Sequence, residues 1–262
     1  MARFQRSRGF TLVELAVVLA IVGLMLGGLM YTLSAQTEQR NFEETRRRLE
    51  QARELLLSYA IVNGRLPCPA SSTSSGYEDG TSGACNSPGP YGGWLPARTI
   101  GTQQVDSAGY AIDVWGNRIR YAVANLVTNC SGTSTTPHFT NATNLKANGI
   151  SCQPNDLLVC NSATGITSTT CGGATNQVMS QSLVVAIIYS GGKNCANEAQ
   201  CSLSGSGVSA GADEAANLNG DRVFVWHTPA STTATNGEFD DQLTWITVGE
   251  LYGRLVSAGV LP

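Results

Sequence analysis

Charged side chains are scarce in this 262-residue chain, and several common functional motifs are missing. Asp, Glu, Lys and Arg make up 13% of the residues, and the chain has two histidines. It contains no P-loop, dinucleotide-binding fingerprint or metalloprotease helix, and none of its eight cysteines forms a C-x-x-C pair. The formal net charge is -3, which disfavours nucleic-acid binding by general charge attraction. The missing motifs argue against nucleotide chemistry and zinc binding.

The longest stretch without a charge lies near the start of the chain, from Leu15 to Leu33. It contains about 19 residues, which as a helix span roughly 28 Å, close to the hydrocarbon thickness of a bilayer. Arg3, Arg6 and Arg8 precede it, with no acidic residue among them. The positive-inside rule therefore predicts an N-terminus in the cytoplasm and a chain that lies outside from about residue 36 onward.

Glu14 stands at the edge of this apolar run, where a carboxylate is costly unless it has a partner. The surrounding residues 8–15, RGFTLVEL, resemble the class III leader of type IV pilins and type II secretion pseudopilins. In that family a prepilin peptidase cuts after the glycine and methylates the new terminal amine, which implies cleavage after Gly9 and N-methylation of Phe10. The resemblance also implies that Glu14 pairs with the amine of a neighbouring subunit in a filament core, where a matched charge pair fixes axial register.

Two other interpretations of the N-terminus remain open. The first is a conventional secretory signal peptide, cleaved after Leu33-Ser34-Ala35 to leave a soluble protein. The second is a simple signal anchor with no role in assembly.

The predicted membrane helix lacks the proline that many pilins carry, since residues 24–33 contain none. Gly23, Gly27 and Gly28 in this region allow either local melting or close packing against another membrane helix.

A second helical pattern follows directly. Residues 36–63 contain no proline or glycine, and apolar residues recur at helical spacings. We expect this face to pack on the domain that follows, and Asn63-Gly64 to end the helix. The predicted face comprises Phe42, Leu49, Ala52, Leu56, Tyr59 and Ala60.

The patterns predict an α+β fold that is pilin-like. A long N-terminal helix, with a transmembrane half and an amphipathic half, is expected to pack on a disulfide-rich, loop-rich antiparallel β-sheet domain. The assigned parts are a prepilin leader peptide (residues 1–9), a transmembrane and polymerisation helix (10–35), the amphipathic half of that helix (36–64) and a periplasmic β-rich globular domain (65–262).

Strand patterns recur in the C-terminal domain, separated by long turn-rich segments, and a short helix ends the chain. The predicted strands are residues 117–123, 183–189, 222–227 and 244–248, the helix is 248–258, and the turn-rich segments are 70–93, 128–156, 161–176 and 202–213.

All eight cysteines lie beyond the membrane helix, in Ser-, Gly- and Asn-rich stretches. This distribution is typical of disulfides formed in an oxidising periplasm. Eight cysteines allow 105 pairings, and proximity in sequence favours pairs that each close a local loop. Those candidates are Cys68–Cys85, Cys130–Cys152, Cys160–Cys171 and Cys195–Cys201.

Two motifs extend the resemblance into the C-terminal domain. Residues 113–121, DVWGNRIRY, resemble the signature that opens the β-sheet of major pseudopilins, and residues 189–194, YSGGKN, resemble the turn that leads into their calcium-binding loop. Lys193 stands near where that family has an acidic ligand, which argues against simple transfer of the calcium site. Other oxygen-bearing side chains suit calcium by composition, although Asx-rich turns often have only a structural role. These candidate ligands are Asp213, Glu214, Asn217, Asn219, Asp221, Asp240 and Asp241.

One pattern is typical of an enzyme. Residues 207–211, GVSAG, fit the G-x-S-x-G pattern of hydrolases, but the residues before them resemble a turn rather than a buried strand. We therefore expect no enzymatic activity, and we interpret His138 as a surface histidine and His227 as a strand histidine. Tyr91 and Trp94 are candidates for an exposed contact surface.

The sequence thus predicts a structural subunit, a minor pilin or pseudopilin anchored in the bacterial inner membrane with its C-terminal domain in the periplasm. Its expected partners are prepilin peptidase, sibling pilins or pseudopilins and an inner-membrane assembly platform, and its expected product is a type II secretion pseudopilus or a type IV pilus. The alternative is a membrane-anchored adhesin or binding module that does not polymerise. Calcium is the single candidate cofactor.

Overall fold

A computed structural model describes residues 11–86, 88–125, 137–197, 201 and 210–261. Gly9, Phe10 and Cys130 lie outside the described residues. The chain divides into two compact units, Met1–Glu44 and Thr45–Pro262.

Five α-helices and nine β-strands occur in the described part of the chain. The helices are α1 (Leu12–Asn63), α2 (Ala97–Ile100), α3 (Ala142–Asn148), α4 (Ala212–Leu218) and α5 (Val248–Ser257). The strands are β1 (Gly80–Thr81), β2 (Ala84–Cys85), β3 (Gly93–Trp94), β4 (Arg120–Val123), β5 (Leu158–Cys160), β6 (Gln177–Met179), β7 (Val184–Ser190), β8 (Val223–Val225) and β9 (Gln242–Thr247).

In the first unit, α1 presents its apolar side chains to solvent. Every large apolar side chain between Leu12 and Met25 is exposed, and Leu24 is 79% exposed. Within the described residues, no helix combines the length and the apolar character that a membrane crossing requires. The transmembrane character predicted for residues 10–35 is not confirmed.

In the second unit, the continuation of α1 buries one apolar face. Leu49, Ala52, Leu56 and Ala60 are at most 2% exposed and belong to the main hydrophobic core. The helix ends at Asn63 because Gly64 adopts the left-handed conformation with φ 67° and its N–H donates to the carbonyl oxygen of Ala60. Burial of this face and the end of the helix agree with the sequence pattern.

The main sheet has the strand order β3-β4-β7-β9, and all its neighbours are antiparallel. Its central strand β7 is buried along its whole length, which explains the continuous apolar run in the sequence. Tyr121 of β4 pairs with Ile188, and Trp245 of β9 pairs with Ile187. The predicted strands in this region correspond to β4, β7 and β9.

A second sheet has the order β6-β5-β8. β5 and β6 are antiparallel, but β5 and β8 are parallel, which departs from the purely antiparallel sheet expected. The parallel pair is possible because β6, β7 and α4 form a long connection between its two strands. Ring contacts between Tyr189 and Phe224 (centroids 5.5 Å apart) and between Trp226 and Trp245 (5.8 Å) join the two sheets.

Three disulfides are present among the described residues: Cys68–Cys85, Cys160–Cys171 and Cys195–Cys201. They are three of the four sequential pairs expected, and each closes a short loop. Cys152 is also disulfide-bonded, but the expected partner Cys130 lies outside the described residues.

Helices α3 and α4 were not predicted. Each is seven residues long, too short to show a helical repeat of apolar residues. α3 lies within a segment whose sequence predicts turns. It begins there because Asn141 caps it, accepting hydrogen bonds from the N–H groups of Thr143 and Asn144.

Candidate functional site

Glu14 caps the beginning of α1. Its Oε2 accepts hydrogen bonds from the N–H and the hydroxyl of Thr11, both 2.9 Å long, and its own N–H donates to Thr11 Oγ1 at 3.3 Å. This reciprocal arrangement is a capping box, which satisfies free N–H groups at the start of a helix. Sequence reasoning missed this local role, although the signal, Thr-x-x-Glu before an apolar run, is present.

The two motifs of the C-terminal domain lie together. Asp113 is 1% exposed, and its Oδ1 accepts hydrogen bonds from the N–H groups of Trp115 and Asn117. The Asn117 side-chain amide donates to the carbonyl oxygen of Gly192 at 2.7 Å, so the turn at residues 113–117 holds the turn that follows β7. Burial raises the pKa of the Asp113 carboxyl.

Three buried carboxylates converge beside the second of these turns. Glu214 from α4 and Asp240 and Asp241 from the segment before β9 place oxygen atoms within 4.8 Å of one another. Burial and the charge of Glu214 raise the pKa of Asp240 to about 7. Three carboxylates so close together repel one another, so the cluster favours either a bound proton or a bound cation.

The loop after β7 positions Asp240. Its Oδ2 accepts hydrogen bonds from the N–H groups of Lys193 (2.9 Å) and Asn194 (3.3 Å). Gly192 has φ 67°, and a Cβ added to it would lie 1.7 Å from Asp240 Oδ1. Glycine is therefore required for the loop to approach the carboxylate so closely.

Asp240 Oδ1 and Asn194 Oδ1 are buried at the cluster and have no hydrogen-bond partner in the described part of the chain. The Asn194 side-chain NH₂ group donates to both oxygens of Glu214, at 3.1 Å each. The side-chain oxygen of the same amide, Oδ1, therefore belongs to the cluster. A hard divalent cation prefers carboxylate and amide oxygens of this kind. Sequence reasoning missed Asn194, which lies in the YSGGKN turn.

The other predicted ligands have different roles. Asn217 exchanges two hydrogen bonds with the backbone of Val225 and donates to Asp241 Oδ2. Asn219 and Asp221 bond to each other in an exposed turn. Thus Glu214, Asp240 and Asp241 come together, and Asp213, Asn219 and Asp221 do not join them.

Both histidines have hydrogen-bond partners within the C-terminal domain. His227 Nε2 lies 3.1 Å from Asp213 Oδ2, and its Nδ1 lies 2.6 Å from the carbonyl oxygen of Thr228, so both nitrogens face oxygen acceptors. His138 is 2% exposed, so its interpretation as a surface histidine is wrong. Its Nε2 lies 3.1 Å from the Tyr252 hydroxyl, and burial lowers its pKa to about 4.

The proposed aromatic contact surface is also partly buried. The Tyr91 hydroxyl donates to Asp156 Oδ2 at 2.9 Å. The Trp94 ring packs edge-on against Tyr110, with centroids 5.6 Å apart. These contacts give both side chains a structural role, and the expected exposure is wrong.

Residues 4–30 match the family model described as the prokaryotic N-terminal methylation motif. The chain carries this methylation motif. It is the signal of type IV pilins and pseudopilins. Comparisons of the chain with curated proteins and with solved structures gave no significant match.

The methylation motif contains the capping box described above, since Thr11 and Glu14 both lie within residues 4–30. The motif indicates a structural rather than a catalytic protein. It also implies association with prepilin peptidase and with other pilin subunits, and a membrane-anchored or surface-assembled location.

Proposed function

We propose that this chain is a pilin or pseudopilin subunit that prepilin peptidase cuts after Gly9 and methylates on Phe10. The methylation motif at residues 4–30 is the observation that carries the proposal. The amine released at Phe10 lies four residues before Glu14 in the sequence, so each subunit carries one positive and one negative charge close to its N-terminus. An amine and a carboxylate so placed suit pairing between successive subunits.

The exposed apolar face of α1 supports assembly. Large apolar side chains rarely stay in water over such a length, and those from Leu12 to Met25 are all exposed. We propose that lipid covers them before assembly, with residues 10–35 spanning the inner membrane and residues 65–262 in the periplasm. Neighbouring subunits then cover them in the filament.

In this proposal the subunit is a minor component of a type II secretion pseudopilus or a type IV pilus, added through an inner-membrane assembly platform. Its short disulfide-closed loops suit an oxidising compartment. The alternative, a membrane-anchored adhesin or binding module that never polymerises, predicts normal membrane insertion without dependence on the charge of Glu14.

The capping box decides which Glu14 variants test the proposal. Glu14→Ala removes both the cap and the charge, whereas Glu14→Gln keeps an oxygen that accepts from Thr11 and removes only the charge. We expect Glu14→Gln to insert into the membrane normally and to lose crosslinks to sibling subunits in cells. Glu43→Gln, at an exposed helix position, is the matched control.

Normal crosslinking by Glu14→Gln together with a defect in Glu14→Ala would assign Glu14 to helix capping alone. That outcome would refute the charge-pairing proposal. Sequencing the N-terminus of the mature protein tests cleavage after Gly9 independently, because a start at residue 36 would support a conventional signal peptide instead.

We also propose that the carboxylate cluster binds calcium through Glu214, Asp240 and Asp241, with Asn194 contributing its carbonyl oxygen. The partnerless Asp240 Oδ1 and Asn194 Oδ1 favour this assignment. Titration of the full chain with calcium should give heat of binding and a higher unfolding temperature. Asp240→Asn should lose both effects, and Asp221→Asn, in the exposed turn, should keep them. No heat with the unaltered chain would disprove calcium binding.

A further inference from the structure

An open cleft lies on the smaller sheet and shares no residue with the carboxylate cluster. It has a volume of about 320 Å³ and is formed by residues 169–174, the start of β6 and residues 180–181. Leu158 and Cys171 lie at its base and are 5% exposed. The volume falls at the lower end of the range for small-ligand sites, roughly 300–1,000 Å³.

The walls of the cleft are held in place by covalent and backbone contacts. The Cys160–Cys171 disulfide joins its loop to β5. The Thr167 N–H donates to the Thr170 carbonyl oxygen at 3.0 Å, and the Asn176 N–H donates to the Gly173 carbonyl oxygen at 3.0 Å. A cleft fixed in this way loses little conformational freedom when a ligand binds.

The lining is uncharged and combines polar side chains with an apolar base. Among the described residues that line the cleft, none carries a charged side chain. Thr169 and Thr170 contribute hydroxyl groups, and Gln177 and Gln181 contribute amides. Both glutamines are exposed, and their side chains make no hydrogen bond within the described part of the chain, so their donors and acceptors are available to a ligand.

We propose that this cleft binds one neutral sugar residue of a glycan. Amides and hydroxyls each offer a donor and an acceptor, which matches the paired hydroxyl groups of a sugar ring. An ion would find no opposite charge on the cleft wall. A purely apolar ligand would bury the amides and hydroxyls without partners, which is unfavourable.

Saturation-transfer NMR on the full chain tests the proposal. The chain is kept in detergent micelles, because α1 exposes apolar side chains from Leu12 to Met25. The detergent must have no sugar headgroup, since such a headgroup would compete with the probes. The probes are maltose and lactose, which represent neutral hexose chains, and chitobiose, which represents amino-sugar chains. We expect saturation transfer to at least one of the three, and the responding sugar identifies the glycan class.

Two variants locate the binding. Gln177→Ala/Gln181→Ala should weaken it by about tenfold, because several hydrogen bonds to the ligand are lost. Gly173→Phe should occlude the cleft, and its backbone tolerates a side chain because the nearest atoms to an added Cβ lie 3.8 Å away. The control Gln104→Ala/Gln153→Ala removes two exposed glutamines outside the cleft.

Absence of transfer to all three sugars would overturn the proposal. Equal transfer in the unaltered chain and in both cleft variants would also overturn it, because the sugar would then bind elsewhere. Neither result depends on cleavage, methylation or filament assembly, so the outcome is independent of the proposed function.

Discussion

The hydroxyl of Ser190 donates a hydrogen bond to Oδ2 of Asp113 at 2.7 Å, with both residues almost completely buried. This bond joins the last residue of β7 to the turn at residues 113–117. Because Asn117 also holds Gly192, two contacts connect the turn at residues 113–117 to the loop that follows β7. The same loops position Asp240 in the carboxylate cluster.

We expect Ser190→Ala to lower the free energy of unfolding by about 1–3 kcal/mol, because it leaves a buried carboxylate oxygen without its donor. Urea unfolding of the full chain in micelles measures the effect. Ser182→Ala is the control, since Ser182 is only half-buried and bonds to another serine hydroxyl rather than to a carboxylate. Equal unfolding of the two variants would show that the Asp113 contact does not stabilise the fold.

His138 gives a pH dependence of stability. Burial lowers its folded pKa from 6.5 to about 4, so between these values the unfolded chain binds a proton that the folded chain does not. The stabilising contribution of neutral His138 is therefore fully present above pH 6.5 and is lost as the pH decreases toward 4, by about 3 kcal/mol at most.

The His138→Gln variant removes this contribution while leaving a polar side chain near Tyr252. We expect the difference in unfolding free energy between the variant and the unaltered chain to change across pH 4–6.5 and to be constant above it. A difference independent of pH over the whole range would contradict the burial of a neutral imidazole.

Local patterns allowed several elements to be predicted. The 183–189 run corresponds to β7 because a strand buried on both faces needs apolar residues at every position. The predicted last helix corresponds to α5. It begins after Thr247, whose Oγ1 caps the helix by accepting a hydrogen bond from the Glu250 N–H. Three disulfides join cysteines that are close in sequence, so no knowledge of the tertiary fold was needed to propose them.

The rest of the site depends on contacts between distant residues. Asn194 and Glu214 come from different segments, and no spacing in the sequence indicates that the Asn194 amide contacts both Glu214 oxygens. The candidate calcium set was chosen by composition, which cannot separate Asp240 in the buried cluster from Asp221 in an exposed turn. β5 was missed because its three residues are too few to show alternation.

Gly192 tests the close approach of the loop to Asp240. Gly192→Ala combines an unfavourable left-handed backbone with a collision at Asp240 Oδ1, and we expect a loss of about 3 kcal/mol or more. Gly259→Ala is a matched control, because Gly259 has φ 70° and nothing lies within 4 Å of an added Cβ.

The control should lose only the backbone contribution, about 1–2 kcal/mol. The difference between the two variants, measured by urea unfolding, therefore reports the collision alone. Equal losses would mean that the loop moves away from Asp240 without cost.

Asn217 covers the outer edge of β8. Its Oδ1 accepts from the Val225 N–H at 2.7 Å, and its Nδ2 donates to the Val225 carbonyl oxygen at 3.0 Å, as a neighbouring strand would. The side chain thereby satisfies backbone groups that an unpaired edge strand leaves open. It also donates to Asp241 Oδ2 at 2.7 Å, which connects the edge of the smaller sheet to the carboxylate cluster.

We expect Asn217→Ala to lower the unfolding free energy by about 3 kcal/mol, since it leaves the buried N–H and carbonyl of Val225 without partners. Asn219→Ala, two residues along in the exposed turn, should change stability by no more than about 0.5 kcal/mol. Amide hydrogen exchange locates the effect, because the Val225 N–H should exchange faster only in the first variant. Unchanged protection of that N–H would show that another group covers the edge of β8.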